Sequence, residues 1–417
     1  MGARSAAVGR MQPLGYPLSR LRRARTALTV SFLAHGFCTA TWATRLPAVA
    51  MHLHISVGTV GVVLFSMAVG ALVAMWRLGI VIATHGSRPV LRIASLVMCL
   101  SFACLGYAPD AVWLTIVLFV AGAGVGSMDV AMNSHGVTLQ RNYGKSILNA
   151  LHGWWYIGAL AGASVGTAAA AAGIEPGPHL ALVGGVFALA TTGLGWWLLP
   201  ASLDRLVPKA AATSSSVEPG HAAHPVRGRL AKMPSTLAIL GLVGLAMYLI
   251  EGAITDWSGL YLARVVHTSP GEVGLGYLAF AIAMTAARLS GDVVAAGALS
   301  RSRLTGIGAS LGAAGIVLAI AVPALPAVMI GLGVSGLGLA TIVPTLYTAA
   351  GAIGSTGQSI ARLTAVSYSG YLFGPPLIGS IGQVLNLRVA LGIPAGLALI
   401  VAVVGPTAVR DVRRDGP

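Results

Sequence analysis

Long apolar segments separated by short polar turns make up most of the chain. A helix that crosses the roughly 30 Å hydrocarbon core of a bilayer needs about 20 predominantly apolar residues. Because 56% of the residues are hydrophobic and only 9% are charged, the chain can supply many such helices. The pattern predicts an all-α integral membrane protein. Twelve transmembrane helices are predicted, at 27–48, 57–82, 89–107, 111–133, 149–172, 179–200, 236–263, 273–297, 305–322, 324–348, 359–381 and 387–405.

One long polar stretch, residues 201–234, divides the predicted helices into two sets of six. Glycine pairs with the same spacing recur in both sets, 212 or 216 residues apart, which indicates an internal duplication. We therefore expect two pseudo-symmetric six-helix bundles, at 27–200 and 235–405, with cytoplasmic tails at 1–26 and 406–417. The recurring pairs are Gly124/Gly126 with Gly336/Gly338, and Gly158/Gly166 with Gly374/Gly382.

The positive charges lie in alternate turns of this pattern and at both termini. Lys and Arg accumulate in cytoplasmic segments, so both termini, the linker and the even-numbered turns are predicted to be cytoplasmic. A formal net charge of +15 can also signal nucleic-acid binding, but these bases are not gathered on one domain, and no nucleic-acid partner is expected. Abundant Ala, Gly and Arg are compatible with a GC-rich bacterium, so we expect a bacterial inner-membrane protein. The basic turns contain Arg88, Arg141, Lys145, Arg301 and Arg303.

No cofactor, metal site or enzymatic centre is predicted. Cys38, Cys99 and Cys104 lie inside predicted spans without clustered His or Cys partners, which is typical of small buried apolar residues. No Gly-rich loop ends in Lys-Ser or Lys-Thr, so transport driven by ATP within this chain is not expected. No nucleophile, base and orienting group occur at a recognisable spacing.

Two segments resemble the signature of the major facilitator superfamily. The turn Gly86-Ser87-Arg88 and the segment Arg288-Leu289-Ser290-Gly291-Asp292 look like degenerate copies of a motif found after the second and eighth helices of that family. With the twelve spans and the long linker, the resemblance covers essentially the whole chain. It implies a secondary transporter that rocks two bundles about a central site. The expected partners are a small solute, protons and the bilayer, and we expect the chain to act as a monomer.

Three further segments, Gly122–Asn133, Trp42–Pro47 and Glu251–Trp257, resemble the fucose-permease-like branch of that family. Within this branch, an acid in the fourth span followed by Asn is associated with proton-coupled sugar uptake. The resemblance therefore implies proton-coupled symport of a small, sugar-like solute.

Asp129 is the first candidate for proton coupling. A charged group at the membrane centre costs roughly 2.5 to 3.5 kcal/mol, so it requires a partner or a purpose. At about 100° per residue, Gly122, Gly126, Asp129 and Asn133 fall within an arc of roughly 60°, which should face away from lipid. The alternative is a structural pair between Asp129 and a base such as Arg141.

Glu251, near the middle of the seventh span, is a candidate for both proton coupling and substrate binding. Tyr261, on the same helix, is a candidate for stacking its ring on the substrate, and Asn133 of the fourth span is a candidate for binding the substrate through its amide. Trp42 and Trp257 occupy corresponding places in spans one and seven, so we expect them to stack on a ring-shaped substrate.

The remaining intramembrane polar residues are assigned to structure or gating. Arg45 either marks the membrane interface or pairs with Asp256, because spans one and seven are equivalent. Arg288 and Asp292 lie one turn apart, where a structural ion pair or gate contact is expected. His35 either relays protons or is a hydrogen-bonded packing residue.

Two other functions remain open. A drug/proton antiporter of the same fold usually has an Arg before the span-four glycines and a Gly-Pro pair in span five. This chain has Leu118 and Phe119 at the first place and Gly158-Ala159 at the second, which disfavours efflux. A non-transporting membrane receptor is the other alternative, but it would have no need for intramembrane acids.

Overall fold

The structure is a computed structural model that describes residues 16–143, 147–203, 235–289, 300–351, 353 and 356–410. Most of the predicted tails and linker lie outside these ranges, and all regular secondary structure within them is helical. The π-helix Leu262–Val266 continues α7, and 3-10 turns at Gly195–Trp197 and Ala201–Leu203 follow α6. The α-helices are α1 (Leu18–His52), α2 (Val57–His85), α3 (Ser87–Leu105), α4 (Ala111–Tyr143), α5 (Leu148–Ala171), α6 (Pro176–Leu194), α7 (Ser235–Tyr261), α8 (Leu275–Leu289), α9 (Arg301–Ala321), α10 (Leu325–Leu339), α11 (Ile342–Gly351), α12 (Thr356–Val384), α13 (Leu387–Ala390) and α14 (Gly392–Arg410).

Several helices are longer than their apolar segments. The first begins at Leu18, within an arginine-rich stretch, and the fourth continues to Tyr143, beyond its predicted end at residue 133. Polar turns at a helix end extend past the hydrocarbon core into water. The apolar segment therefore marks the part of the helix that crosses the membrane, whereas the helix itself ends farther out.

The segment predicted as one span at 324–348 is divided between α10 and α11. Pro344 has no N–H with which to bond the carbonyl of Ala340, four residues earlier, so the helical ladder is interrupted. That carbonyl instead accepts a hydrogen bond from Nε of Arg288 at 3.4 Å. The interruption therefore provides a backbone acceptor for an arginine of α8 within a predicted span.

The same helix pairings occur in both halves of the chain. In the first half, α1 packs against α5, α2 against α4, and α3 against α4 and α6. In the second half, α7 packs against α12, α8 against α10, and α9 against α10 and α14. Each first-half helix thus has a counterpart, which is the packing that an internal duplication predicts.

Close backbone contact holds these pairs together. A Cβ atom on Gly36 of α1 would overlap the carbonyl oxygen of Trp155, and one on Gly158 of α5 would overlap the carbonyl oxygen of Leu33. Lipid offers little hydrophobic drive for helix association, so such close van der Waals contact supplies much of the packing energy.

Eight helical segments in the described ranges are long and apolar enough to cross a membrane. They comprise α2, α3, α4, α6, α7 and α9, together with the segments formed by α10 with α11 and by α13 with α14. The described part of α8 is apolar but shorter. Of the remaining long helices, α1 contacts α7, α5 contacts α8, and α12 contacts α2, so each packs against the opposite half. Helices shielded by protein in this way tolerate a more polar composition.

The two halves meet where α1 and α5 finish and α2 and α6 begin, which we call the joined end. There α2 crosses α12 at Gly61 and Gly379, whose backbones are in direct contact. Nη2 of Arg264 donates to the carbonyl of Ile55 at 2.6 Å, also across the halves. These contacts close the space between the halves at this end.

Candidate functional site

Glu251 of α7 and Arg288 of α8 form an ion pair. Oε2 and Nη2 are 3.9 Å apart, and the side chains of Glu251 and Arg288 are 19% and 20% exposed. The guanidinium of Arg288 also lies 4.8 Å from the ring centroid of Tyr156, on α5 of the opposite half. This is the one ion pair found among the described residues. It joins a carboxylate, a cation and an aromatic ring from both halves.

Three tyrosines, Tyr248 of α7 with Tyr368 and Tyr371 of α12, lie beside this pair and form what we call the tyrosine cluster. The ring centroid of Tyr248 is 5.1 Å from that of Tyr368 and 4.9 Å from that of Tyr371. Glu251 is within electrostatic range of all three phenol groups. Tyr368 is 40% exposed, so the cluster presents both ring surface and hydroxyl groups beside the carboxylate.

The sequence-based assignment does not include these three tyrosines. A signal was nevertheless present. Tyr248 lies three residues before Glu251, and Tyr368 lies three residues before Tyr371, so each helix places both members on one face. What the sequence does not show is that these two faces meet.

Asp129 lies on α4 with its predicted neighbour Asn133. Nδ2 of Asn133 donates to Oδ1 of Asp129 at 3.1 Å and to the Asp129 backbone carbonyl at 2.9 Å. His152 of α5 and Tyr368 of α12 are within electrostatic range of the carboxylate. Arg141, the alternative structural partner, is exposed and forms no ion pair within the described part of the chain. Asp129 therefore faces both its own half and the tyrosine cluster.

His35 has both ring nitrogens engaged. Nε1 of Trp155 donates to Nδ1 at 2.7 Å, so Nδ1 carries no proton. Nε2 must then carry the proton, and it contacts the carbonyl of Val125 at 3.3 Å. The imidazole connects α1, α4 and α5 as a neutral tautomer. This geometry matches the packing alternative, because a second proton would break the hydrogen bond from Trp155.

The aromatic residues expected to stack on substrate lie elsewhere. Trp42 and Trp257 are 3% and 0% exposed, and their indole Nε1 atoms have no described partner. Tyr261 is 2% exposed and donates from its hydroxyl to the carbonyl of Ala319 at 3.1 Å. All three rings are enclosed by packed helices in this arrangement, so none offers a face to a solute. Stacking of a solute on Trp42 and Trp257 therefore stays a prediction, and the tyrosine cluster is the more exposed aromatic surface in this arrangement.

The pairing of Arg45 with Asp256, one of the two alternatives for Arg45, is not formed in this structure. Arg45 is 2% exposed and donates from Nη2 to the carbonyl of Ile174, in the loop after α5. Asp256 has no ion pair within the described ranges, although Tyr277 of α8 is within electrostatic range of it. The other proposed structural partner, Asp292, lies outside the described residues. The described partner of Arg288 is Glu251, which the packing of α7 against α8 brings within 3.9 Å.

The sequence comparisons identify relatives along nearly the full length of the chain. An uncharacterised MFS-type transporter of Yersinia pestis is 31% identical over 377 residues, which cover 89% of this chain and 92% of that protein. An uncharacterised transporter of Sinorhizobium fredii is also 31% identical, over 393 residues, covering 93% and 99%. The membrane protein MosC of Rhizobium meliloti is 31% identical, covering 90% and 88%. No family model matches the chain.

Solved structures show the same fold at low identity. The nucleoside transporter NupG superimposes with a TM-score of 0.69 at 14% identity, covering 93% of this chain and 98% of that chain. A D-xylose-proton symporter superimposes with a TM-score of 0.69 at 13% identity, covering 95% and 98%. The chain thus has the all-helical fold of a multi-pass membrane transporter. It belongs to the major facilitator superfamily.

Proposed function

We propose that this protein is a proton-coupled secondary transporter of a small polar solute, with twelve spans in two six-helix bundles and a site at the tyrosine cluster. One observation carries the proposal. The ion pair between Glu251 and Arg288 is placed beside ring and hydroxyl groups, and its cation also contacts Tyr156 of the opposite half. Protonation of Glu251 and contact between the two halves therefore both involve Arg288.

Proton transfer to Glu251 removes the negative charge that holds Arg288. The guanidinium then keeps its contacts with Tyr156 and with the Ala340 carbonyl, and Glu251 becomes a hydrogen-bond donor. Such a change alters the balance between a state with the halves in contact and a state with them apart. This is what coupling a proton to alternating access requires.

Asp129 provides a second carboxylate, on α4 of the first half, whereas Glu251 is on α7 of the second half. Its partners are an amide from Asn133 and the electrostatic influence of His152, and none is a fixed cation. We assign Asp129 a role in proton coupling together with Glu251. His35, whose two nitrogens are engaged, is assigned to packing.

The tyrosine cluster supports a solute with hydroxyl groups and an apolar ring face. Phenol rings offer an apolar surface, and their hydroxyl groups donate and accept hydrogen bonds at the ring edge. This preference agrees with the sugar-like solute implied by the fucose-permease-like resemblance. We also assign Asn133 a role in binding this solute, because it hydrogen-bonds Asp129, which lies within electrostatic range of Tyr368.

The joined end corresponds to the outer side in the predicted topology, where odd-numbered turns are extracellular. With the outer ends of the halves in contact, the arrangement described here is inward-facing. Arg45 and Asp256 lie toward this outer end, so we assign them to structure or gating without a direct pair.

The proposal is tested with purified protein in vesicles that carry an imposed pH gradient. A panel of sugars, polyols, nucleosides and organic cations is screened for uptake or release that follows the gradient. Solute entry in the direction of proton flow supports symport. Exit of organic cations in the direction opposite to proton flow would instead identify a drug/proton antiporter. Asp129 and Asp256, which form no ion pair in the described part of the chain, would then bind the cation or the proton. Absence of any flux across the panel would favour a receptor.

A further inference from the structure

Three arginines lie together at the end opposite the joined end. Arg20 is on the first turn of α1, and Arg88 and Arg92 are on the first two turns of α3. The guanidinium of Arg88 is close enough to Arg20 and Arg92 to be repelled by both. The one described ion pair is between Glu251 and Arg288, so these arginines have no described carboxylate partner. Clustered like charges are unfavourable unless a counter-charge is bound.

Both arginines of α3 are held against Trp196, just after α6. The guanidinium carbon is 4.1 Å from the ring centroid for Arg92 and 6.0 Å for Arg88. Nη2 of Arg88 also donates to the Trp196 carbonyl at 3.0 Å. Gly195 leaves room for this packing, because a Cβ atom there would lie 3.0 Å from Cγ of Arg92. The two cations are therefore ordered in advance of any ligand, which lowers the entropy cost of binding.

An exposed apolar surface adjoins the cations. Trp196 is 65% exposed and Trp197 is 42% exposed. Tryptophan rings exposed at helix ends of membrane proteins lie at the level of the lipid headgroups. A phosphate can bind the guanidinium groups by paired hydrogen bonds, and Nε of Arg92 is buried without a described partner. A soluble anion uses the cations alone, whereas a phospholipid also covers the indole ring with its acyl chain.

We propose that Arg20, Arg88, Arg92 and Trp196 form a binding site for a phospholipid with a negatively charged headgroup. The phosphate binds between the guanidinium groups, and the acyl chain lies along Trp196. The site is on the first half, away from the tyrosine cluster. It therefore stands independently of the solute and of the proton coupling.

The test uses the full chain in mild detergent, titrated with phosphatidylglycerol or neutral phosphatidylcholine, with native mass spectrometry to count bound lipid. Wild-type protein should retain phosphatidylglycerol in preference to phosphatidylcholine. R88Q/R92Q should bind phosphatidylglycerol about 30-fold more weakly, since each interfacial arginine is worth roughly fivefold. The matched control is R301Q/R303Q, which removes two arginines from the start of α9, the counterpart of α3. It should bind as wild type does.

Equal loss in both double variants would show general attraction to the basic surface and would overturn the site. Competition by inorganic phosphate at the same concentration would assign the arginines to a soluble anion and would also overturn it. If R88Q/R92Q does not fold, as judged by helical circular dichroism, W196A replaces it. That variant retains all three charges and should still lose affinity for phosphatidylglycerol, whereas unchanged affinity would contradict the proposal.

Discussion

Adding one methyl group to Gly61 should hold the joined end open. A Cβ atom there would lie 2.8 Å from the carbonyl oxygen of Pro375 and 2.9 Å from Cα of Gly379. Non-bonded carbon atoms pack at about 3.5 to 4.0 Å, so α2 and α12 must separate by on the order of 1 Å. Both neighbours are backbone atoms, which cannot turn away as a side chain can.

Overpacking of this kind costs about 1 to 3 kcal/mol. Because the cost arises only when the halves are in contact, it should shift the conformational equilibrium toward separation by about 5- to 150-fold. Gly379→Ala should have the same effect, since its Cβ atom would lie 2.8 Å from Cα of Gly61. The double variant should add little, because both changes act on one crossing.

The assay measures labelling of a single cysteine, Thr167→Cys, in an otherwise cysteine-free protein. Thr167 is 7% exposed and lies against Gly274 across the halves, so it is shielded only while the joined end is closed. Gly61→Ala should raise the rate of maleimide labelling by at least about fivefold. Gly185→Ala is the matched control, because its added methyl group meets no other helix within 4 Å. Equal labelling rates in the two glycine variants would refute the reasoning.

Three further predictions concern the site and the topology. Asp129→Asn should abolish solute accumulation driven by a pH gradient but leave solute exchange partly intact, because the amide keeps the hydrogen bonds and cannot titrate. Unchanged solute accumulation in vesicles would assign Asp129 a structural role. Tyr371→Ala should weaken solute binding by tenfold or more, on the order of 1.4 kcal/mol, because the ring contact is lost. Tyr371→Phe should retain most of the affinity, because it keeps the ring. Both affinities are measured by calorimetric titration, and equal losses in the two variants would contradict ring stacking. Asn142→Cys and Ser215→Cys, each in a cysteine-free chain, test the predicted cytoplasmic location of these segments. Both cysteines should be shielded from an impermeant thiol reagent in intact cells. Labelling of either from outside would contradict the predicted topology.

The length of the apolar segments predicted most helices, because every span needs enough apolar residues to cross the hydrocarbon core. It did not predict the break between α10 and α11, where one proline removes a hydrogen bond and Arg288 takes the free carbonyl. Helix length also exceeded the prediction wherever polar turns continue beyond the membrane.

The candidate site was predicted only in part because its residues come from several helices. Glu251 and Arg288 were each selected as intramembrane charges, but the sequence did not pair them; it paired Arg288 with Asp292, which lies outside the described residues. The observed partner depends on how α7 packs against α8, which local spacing does not encode. Trp42 and Trp257 were assigned from sequence to corresponding places in spans one and seven. In this arrangement both are buried by neighbouring helices, which local spacing does not show.

The most direct test of the account is proton movement caused by solute in vesicles that contain wild-type or Glu251→Gln protein. Glu272→Gln is the matched control, because Glu272 lies in the loop before α8. Hydrogen bonds from the hydroxyl and backbone N–H of Ser269 lower the pKa of that carboxyl, so it stays ionised at neutral pH.

Wild-type and Glu272→Gln proteins should both take up protons when a transported solute is added. Glu251→Gln should show no proton uptake while still exchanging labelled solute across the membrane, because the glutamine amide binds no proton and forms no ion pair with Arg288. Undiminished proton uptake by Glu251→Gln would contradict the central claim.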